Sequence, residues 1–317
     1  MPVGYWGPIT SSLLWCEDKY RWSQYVAEPM NSVTNIAFIA LALFGARNCR
    51  NQVMPFRYIL TYLGIAFVGV GSLAFHATLL YEAQLLDELP MIYTSLMLSY
   101  CVLEHSTRGS KPTGGYWLPL ALTTVAVLIT AGYLAHPNPI LHQVAYAAIQ
   151  VVSTVRVLYL LYTAGSPLAQ SPSAREKRAM IRKSYHVGAV IFLTGFLIWN
   201  LDNAFCEYFR LARSCVGYPL AALLEGHAWW HILVRATRRR EAMRPCILRL
   251  RCPQLLQTGY GAYHLVASAA LLGMTMKEGP SAYTLKDHGT AKAFWLPEVV
   301  RSNKLPVSIE ARNHKIQ

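Results

Sequence analysis

Two histidines stand four residues apart in His227-Ala-Trp-Trp-His231, within the apolar stretch that runs from Tyr218 to Leu233. On a helix, positions i and i+4 share a face, so both imidazoles can aim at one point. Neutral imidazole is a common zinc ligand, and paired histidines at this spacing present two ligands at once. The same spacing recurs in Gly69-Val-Gly-Ser-Leu-Ala-Phe-His76, where Ser72 and His76 share a face. Asp87 and Glu88 follow, just before another apolar run. A site of His76, His227 and His231 leaves the fourth zinc position for water and lowers the pKa of that water. Asp87 would then serve as general base and acid, and Ser72 as donor to a developing oxyanion.

The elements that must position these groups are membrane spans. The chain has 317 residues, 54% hydrophobic and 14% charged; a soluble domain carries roughly 25% charged residues. Apolar runs at 32–45, 58–80, 89–103, 116–134, 140–161, 187–200 and 215–233 reach or approach the roughly 20 residues that cross a bilayer. The expected fold is all-α, a polytopic bundle of seven transmembrane helices with the seventh interrupted. A polar segment with no basic n-region precedes residue 32, which predicts no cleaved signal peptide.

The net charge of +13 is distributed as membrane topology requires and does not point to nucleic acid. Arg47, Arg50, Arg57, Arg108, Lys111, Arg175, Lys177, Arg178, Arg182 and Lys183 fall in loops on one side, against Lys19, Arg21, Arg210 and Arg213 on the other. The positive-inside bias puts the C-terminus in the cytosol and the N-terminus in a lumen or outside. Residues 166–173, rich in Pro and Ser, with the basic run 175–183, read as a flexible cytosolic loop.

This topology sets His76, Asp87, His227, His231 and Ser72 at one depth near the non-cytosolic face. Taken singly, each has an ordinary reading. His76 is a packed histidine, the Trp-Trp pair belongs to an interfacial aromatic belt, and Asp87 and Glu88 cap a helix. Their shared depth favours a metal site. His142 and Tyr146 are assigned to a substrate pocket, while His105 and His186 read as interfacial. Asp202 reads as a partner orienting a ligand histidine or as a structural hydrogen-bonding group. Cys16 and Cys206 both fall on the side where disulfides persist; two free thiols are the alternative.

Gly4-Tyr-Trp-Gly-Pro, Trp15-Cys-Glu, Tyr25-Val-Ala-Glu28, Asn31, Gly71-Ser-Leu-Ala-Phe-His76, Gln84-Leu-Leu-Asp-Glu-Leu-Pro-Met-Ile-Tyr93, Trp199-Asn-Leu-Asp-Asn203, Phe205-Cys-Glu207 and His227-Ala-Trp-Trp-His231 together resemble the alkaline ceramidases. The resemblance is nearest to the fungal phytoceramidase and dihydroceramidase enzymes and covers residues 4 to about 233 in order. It implies a seven-helix zinc amidase of the endoplasmic reticulum or Golgi, cleaving ceramides taken from the bilayer to a sphingoid base and a free fatty acid. By position it implies zinc on His76, His227 and His231, acid/base work by Asp87, a metal-proximal Ser72, and a Cys16–Cys206 disulfide. It also implies a calcium ion held by the N-terminal segment, with Trp15, Glu17 and Glu28 matching. Leu14 and Lys19 depart from that pattern: two side-chain oxygen donors are lost and a cation is gained, which weakens a calcium site. The Lys19 ammonium is expected to replace the metal in part by pairing with Glu17 or Glu28.

A second departure follows Leu233. Residues 234–257 form a basic insertion with four arginines in its first seven residues, and arginine at the centre of a span costs roughly 2.5–3.5 kcal/mol. Joining Leu233 to Thr258 restores an uninterrupted helix, His-Ile-Leu-Thr-Gly-Tyr-Gly-Ala-Tyr. The 24 intervening residues equal 72 nucleotides, the size of a short intron; Val-Arg codons can open with a donor (GTGCGT) and a Gln codon can close with the acceptor CAG. They read as a retained intron, with a genuine cytosolic insertion as the alternative. The expected organisation is a luminal segment 1–31, a bundle 32–233 with the zinc site, the insertion 234–257, the remainder of the seventh helix 258–274, and a cytosolic tail 275–317. Two other functions stand beside the amidase: a zinc-containing seven-helix receptor of the adiponectin/progestin receptor type, and an inactive ceramidase-like product. Leu-Leu-Asp-Glu-Leu-Pro and Trp-Cys-Glu discriminate for the amidase.

Overall fold

A computed structural model describes residues 4–104, 114–231, 258–286 and 297–302. Its helices in chain order are α1 (Pro29–Asn51), α2 (Phe56–Thr78), α3 (Tyr81–Leu103), α4 (Trp117–Ala135), α5 (Pro139–Tyr162), α6 (Pro172–Ala204), α7 (Cys206–Val216), α8 (Gly226–His231) and α9 (Thr258–Glu278). Local chemistry starts several of them. Proline, whose fixed φ suits the first turn, opens α1, α5 and α6. Asn138 accepts from the Ile140 N–H at the head of α5, and Ser171 accepts from the Ala174 N–H at the head of α6.

Among the described residues, α1, α2, α4, α5 and α6 are long and apolar enough to cross a membrane. α1 packs on α2, α2 on α3, and α3 on α5, while α9 packs against both α6 and α1. Tyr62 on α2 donates to the Tyr263 carbonyl of α9 (3.1 Å), and Ser184 on α6 meets His264 Nδ1 (3.3 Å). The short α8 contacts the same two neighbours, α6 and α1.

Three sequence expectations need correction. The third helix begins at Tyr81, eight residues before its apolar run, so Asp87 and Glu88 lie in its second turn and do not cap it. Its polar opening is held by tertiary bonds: the Gln84 side chain bonds Ser12 of the N-terminal segment and Glu88 of its own helix. The basic run 175–183 is not a flexible loop; it forms the first turns of α6, started by Ser171 and Pro172. There Arg178 donates to the carbonyls of Leu161 and Thr163, closing the end of α5.

The run 215–233 is not one helix. α7 ends at Gly217, whose φ of 73° is left-handed, and a 3-10 turn (Leu220–Leu224) separates it from α8. Beside the helices, the described residues hold one small hairpin. α9 extends to Glu278, and β1 (Tyr283–Lys286) pairs antiparallel with β2 (Glu298–Arg301), Tyr283 opposite Arg301. This hairpin packs under the bundle, where Tyr263 donates to the Pro297 carbonyl and Gln52 accepts from the Arg301 N–H. The 234–257 insertion and His105 lie outside the described residues.

Candidate active site

His76, His227 and His231 converge; all three are buried, and each offers a ring nitrogen within 4.8 Å of the others. Two of the rings are held from behind. Glu28 accepts from His76 Nδ1 at 2.6 Å. Thr34 already gives its hydroxyl proton to a backbone carbonyl of α1, so its lone pair accepts from His231 Nδ1 at 3.0 Å. Both Nδ1 atoms therefore carry the proton, and both Nε2 lone pairs face inward. This is how outer partners set the tautomer of a metal-binding histidine. His227 Nε2 lies 3.3 Å from His76 Nε2. That is the edge of a tetrahedron of nitrogens about 2.05 Å from a central zinc, roughly 3.3 Å. Three buried histidines that bring ring nitrogens together, two of them with Nε2 free of a proton, are a donor set that fits zinc. The stacked Trp15 ring, 4.3 Å away at 25°, covers His227.

The reacting side of the triad is built by α1, α2 and α3. Ser72 Oγ lies 3.4 Å from His231 Nε2 and accepts from Asn35 Nδ2 at 3.1 Å. Ser72 also interacts with the Asp87 carboxyl group. Asp87 is brought there by a close crossing of α2 and α3. A Cβ at Gly71 would lie 1.9 Å from the Leu86 carbonyl oxygen and 2.9 Å from the Asp87 nitrogen. That carbonyl is free to face α2 because its i+4 partner is Pro90, which has no N–H.

α8 is fixed at its origin. Asp202 on α6 accepts from the Gly226 and His227 backbone N–H groups, both at 3.2 Å. It orients the helix that carries two ligands, not an imidazole. The N-terminal segment is fastened to the same region by a Cys16–Cys206 disulfide and by buried Arg213, which donates to the Cys16 carbonyl (2.8 Å) and pairs with Glu225 (3.0 Å).

A model of the Ceramidase family matches residues 7–240. The chain belongs to the ceramidase family. It is 39% identical over 230 residues to alkaline ceramidase 3 of Mus musculus, covering 73% of this chain and 80% of the mouse protein. It is 34% identical over 244 residues to alkaline ceramidase YPC1 of Saccharomyces cerevisiae (73% of this chain, 74% of that protein). An alkaline ceramidase of Arabidopsis thaliana is 28% identical over 232 residues.

Within this ceramidase fold, some residues singled out by sequence stand apart from the triad. His142 donates from Nε2 to the Glu88 carbonyl at 2.8 Å, and its ring faces Tyr146 on the side of α5 that packs on α3. Glu88 is engaged by Gln84 and Tyr133. Sequence reasoning missed Thr34 and Asn35 altogether, and gave Glu28 to calcium although it holds His76. The signal was present: Asn31, Ser32, Thr34 and Asn35 are buried polar groups on a spanning helix, a placement that is costly unless functional.

The cradle around Lys19 completes the N-terminal side. Its Nζ donates to the Trp15 carbonyl (2.7 Å), to the Glu17 carbonyl (3.0 Å) and to Glu28 Oε1. Burial alone would raise the Glu28 carboxyl, but Lys19 and His76 outweigh it and hold it down at about 2. The Glu17 carboxylate is turned the other way, onto the Met30 (2.7 Å) and Asn31 (2.9 Å) N–H groups that open α1. There burial pushes it up to about 8.

Proposed function

We propose that this chain is an integral-membrane amidase that hydrolyses ceramides, phytoceramide or dihydroceramide, to a sphingoid base and a free fatty acid. The observation that carries this reading is the convergence of three buried histidines beside Ser72, with Asp87 brought alongside by the close crossing of α2 and α3. His76, His227 and His231 would hold zinc, which would supply a Lewis acid for the scissile carbonyl and for the attacking water. Asp87 takes the proton of the attacking water and returns it to the leaving amine nitrogen, so its charge is restored at the end of the cycle. Ser72 holds Asp87 in the resting site. Once Asp87 is protonated, the Ser72 hydroxyl is released to donate to the oxyanion. Trp15, Glu28 and Thr34 keep the ligand rings in register.

The architecture belongs to the same proposal. α3, with its polar end at the site, joins the five apolar helices, and α8 with α9 makes the seventh span, giving a luminal N-terminus and a cytosolic C-terminus in the endoplasmic reticulum or Golgi. That α8 and α9 share α6 and α1 as neighbours supports their being two parts of one helix. Residues 234–257 are then a retained intron, and mature transcripts are expected to lack its 72 nucleotides; their presence in every mature transcript would refute this.

The activity is tested with the purified chain in detergent. Fatty-acid release from phytoceramide is expected, with about one zinc bound per chain. His231→Ala is expected to lose both the metal and the release. A zinc-loaded, folded protein that releases no fatty acid, or a fully active His231→Ala, overturns the reading.

A further inference from the structure

We propose that Lys19 is the built-in cation of the N-terminal cradle: its ammonium fills the place that the family resemblance gives to calcium and, through Glu28, steadies the zinc ligand His76. An ammonium has three N–H donors and no acceptor, and Lys19 meets three oxygens: the Trp15 carbonyl, the Glu17 carbonyl and Glu28 Oε1. Its donors are thus all used, and its side chain is only 10% exposed.

The residues present do not fit a calcium ion. Calcium takes six to eight oxygens at about 2.3–2.6 Å. The Glu17 and Glu28 carboxylate oxygens that do not meet the ammonium already accept from the protein. Both oxygens of the Glu17 carboxylate bond the first N–H groups of α1. Glu28 Oε2 accepts from His76 Nδ1 (2.6 Å) and from Asn31 Nδ2 (3.0 Å). Leu14 contributes no oxygen and is exposed. A divalent ion would also sit against the ammonium itself, and like charges at contact distance in a buried cradle are strongly unfavourable.

The link to the site is short. Glu28 has no exposure and bridges Lys19 on one oxygen and His76 on the other. Without a cation on Oε1, the buried Glu28 carboxylate would keep only His76 and Asn31, both on its other oxygen, and would be drawn away from its place. That movement loosens its grip on His76 Nδ1. Lys19 is therefore a positioning residue for a zinc ligand, and it makes this part of the protein independent of calcium supply.

The test uses the purified full chain in detergent, with thermal unfolding, radioactive-calcium binding and zinc affinity as readouts. Only the zinc readout rests on the proposed zinc site; ceramide hydrolysis is not used, so failure here is separable from failure of the amidase reading. For the wild type, calcium from micromolar to millimolar is expected neither to bind nor to shift the melting temperature. Lys19→Asn, which removes the cation and supplies an oxygen, is expected to melt lower and to be restored by calcium. Lys19→Met is expected to lose about tenfold in zinc affinity, the low end of the 10–100-fold typical when a partner behind a metal ligand is lost. Saturable calcium binding to the wild type at micromolar levels overturns the proposal, even where the variants fail to fold. So does a Lys19→Met protein with wild-type melting and zinc affinity.

Discussion

Asp87→Asn is expected to lower kcat for ceramide hydrolysis by about 10²- to 10⁴-fold, the usual contribution of a positioned proton-transfer group. The substitution is nearly isosteric, and the amide oxygen of asparagine can still accept a hydrogen bond where the carboxylate did. The three histidines are untouched, so bound zinc should stay at the wild-type level. What asparagine cannot do is take a proton and give it back. Fatty-acid release at saturating substrate, with metal content measured on the same sample, reads this directly. An asparagine variant within tenfold of the wild type would remove Asp87 from the proton path. Loss of zinc together with activity would assign Asp87 to building the site.

Gly71→Ala should be nearly as damaging, for a steric reason. The new methyl would lie 1.9 Å from the Leu86 carbonyl oxygen and 2.4 Å from the Leu86 carbonyl carbon. An ordinary carbon–oxygen contact is about 3.3–3.6 Å, so α3 would have to retreat by roughly 1.5 Å. The obstacle is backbone, which cannot rotate away as a side chain would. Overpacking of this kind typically costs about 1–3 kcal/mol of stability. The retreat carries Asp87 with it, and a displacement of about 1 Å at a catalytic group can cost about 10²-fold in rate. A lower melting temperature and slower turnover with zinc retained are expected. Wild-type melting and turnover in Gly71→Ala would show that α3 can be displaced without consequence.

These two residues mark where sequence reading stopped. Asp87 was legible because an acid beside an apolar run is conspicuous, and topology put it level with His76 and His227. Its true setting was not: the polar residues 81–88 mask a helix that begins at Tyr81, since bonds such as Gln84 to Ser12 join segments 72 residues apart. Gly71 carried no sign of its role, because the need for a missing side chain exists only where a second backbone passes. The Pro- and Ser-rich stretch 166–173 and the basic run 175–183 read together as a loop, although Ser171-Pro172 is a helix start that local chemistry supports. In the N-terminal segment, Lys19 was recognisable as a cation among acids. Which acid it would choose depended on α1, whose first N–H groups claim the Glu17 carboxylate and leave Glu28 to the ammonium.

Sequence by itself carried the candidate donors and the apolar helices that hold them: apolar period and i,i+4 spacing are local properties, written along one strand of chain. Three histidines, an acid and a serine could therefore be singled out before any fold was known. Only the tertiary structure decided how they act together. It turned two Nε2 lone pairs inward by placing Glu28 and Thr34 behind the rings, set Ser72 beside His231, and placed Lys19 in the cradle. Each of these is a contact between segments far apart in sequence, fixed by which hydrogen-bonding groups remain unclaimed once the helices have packed.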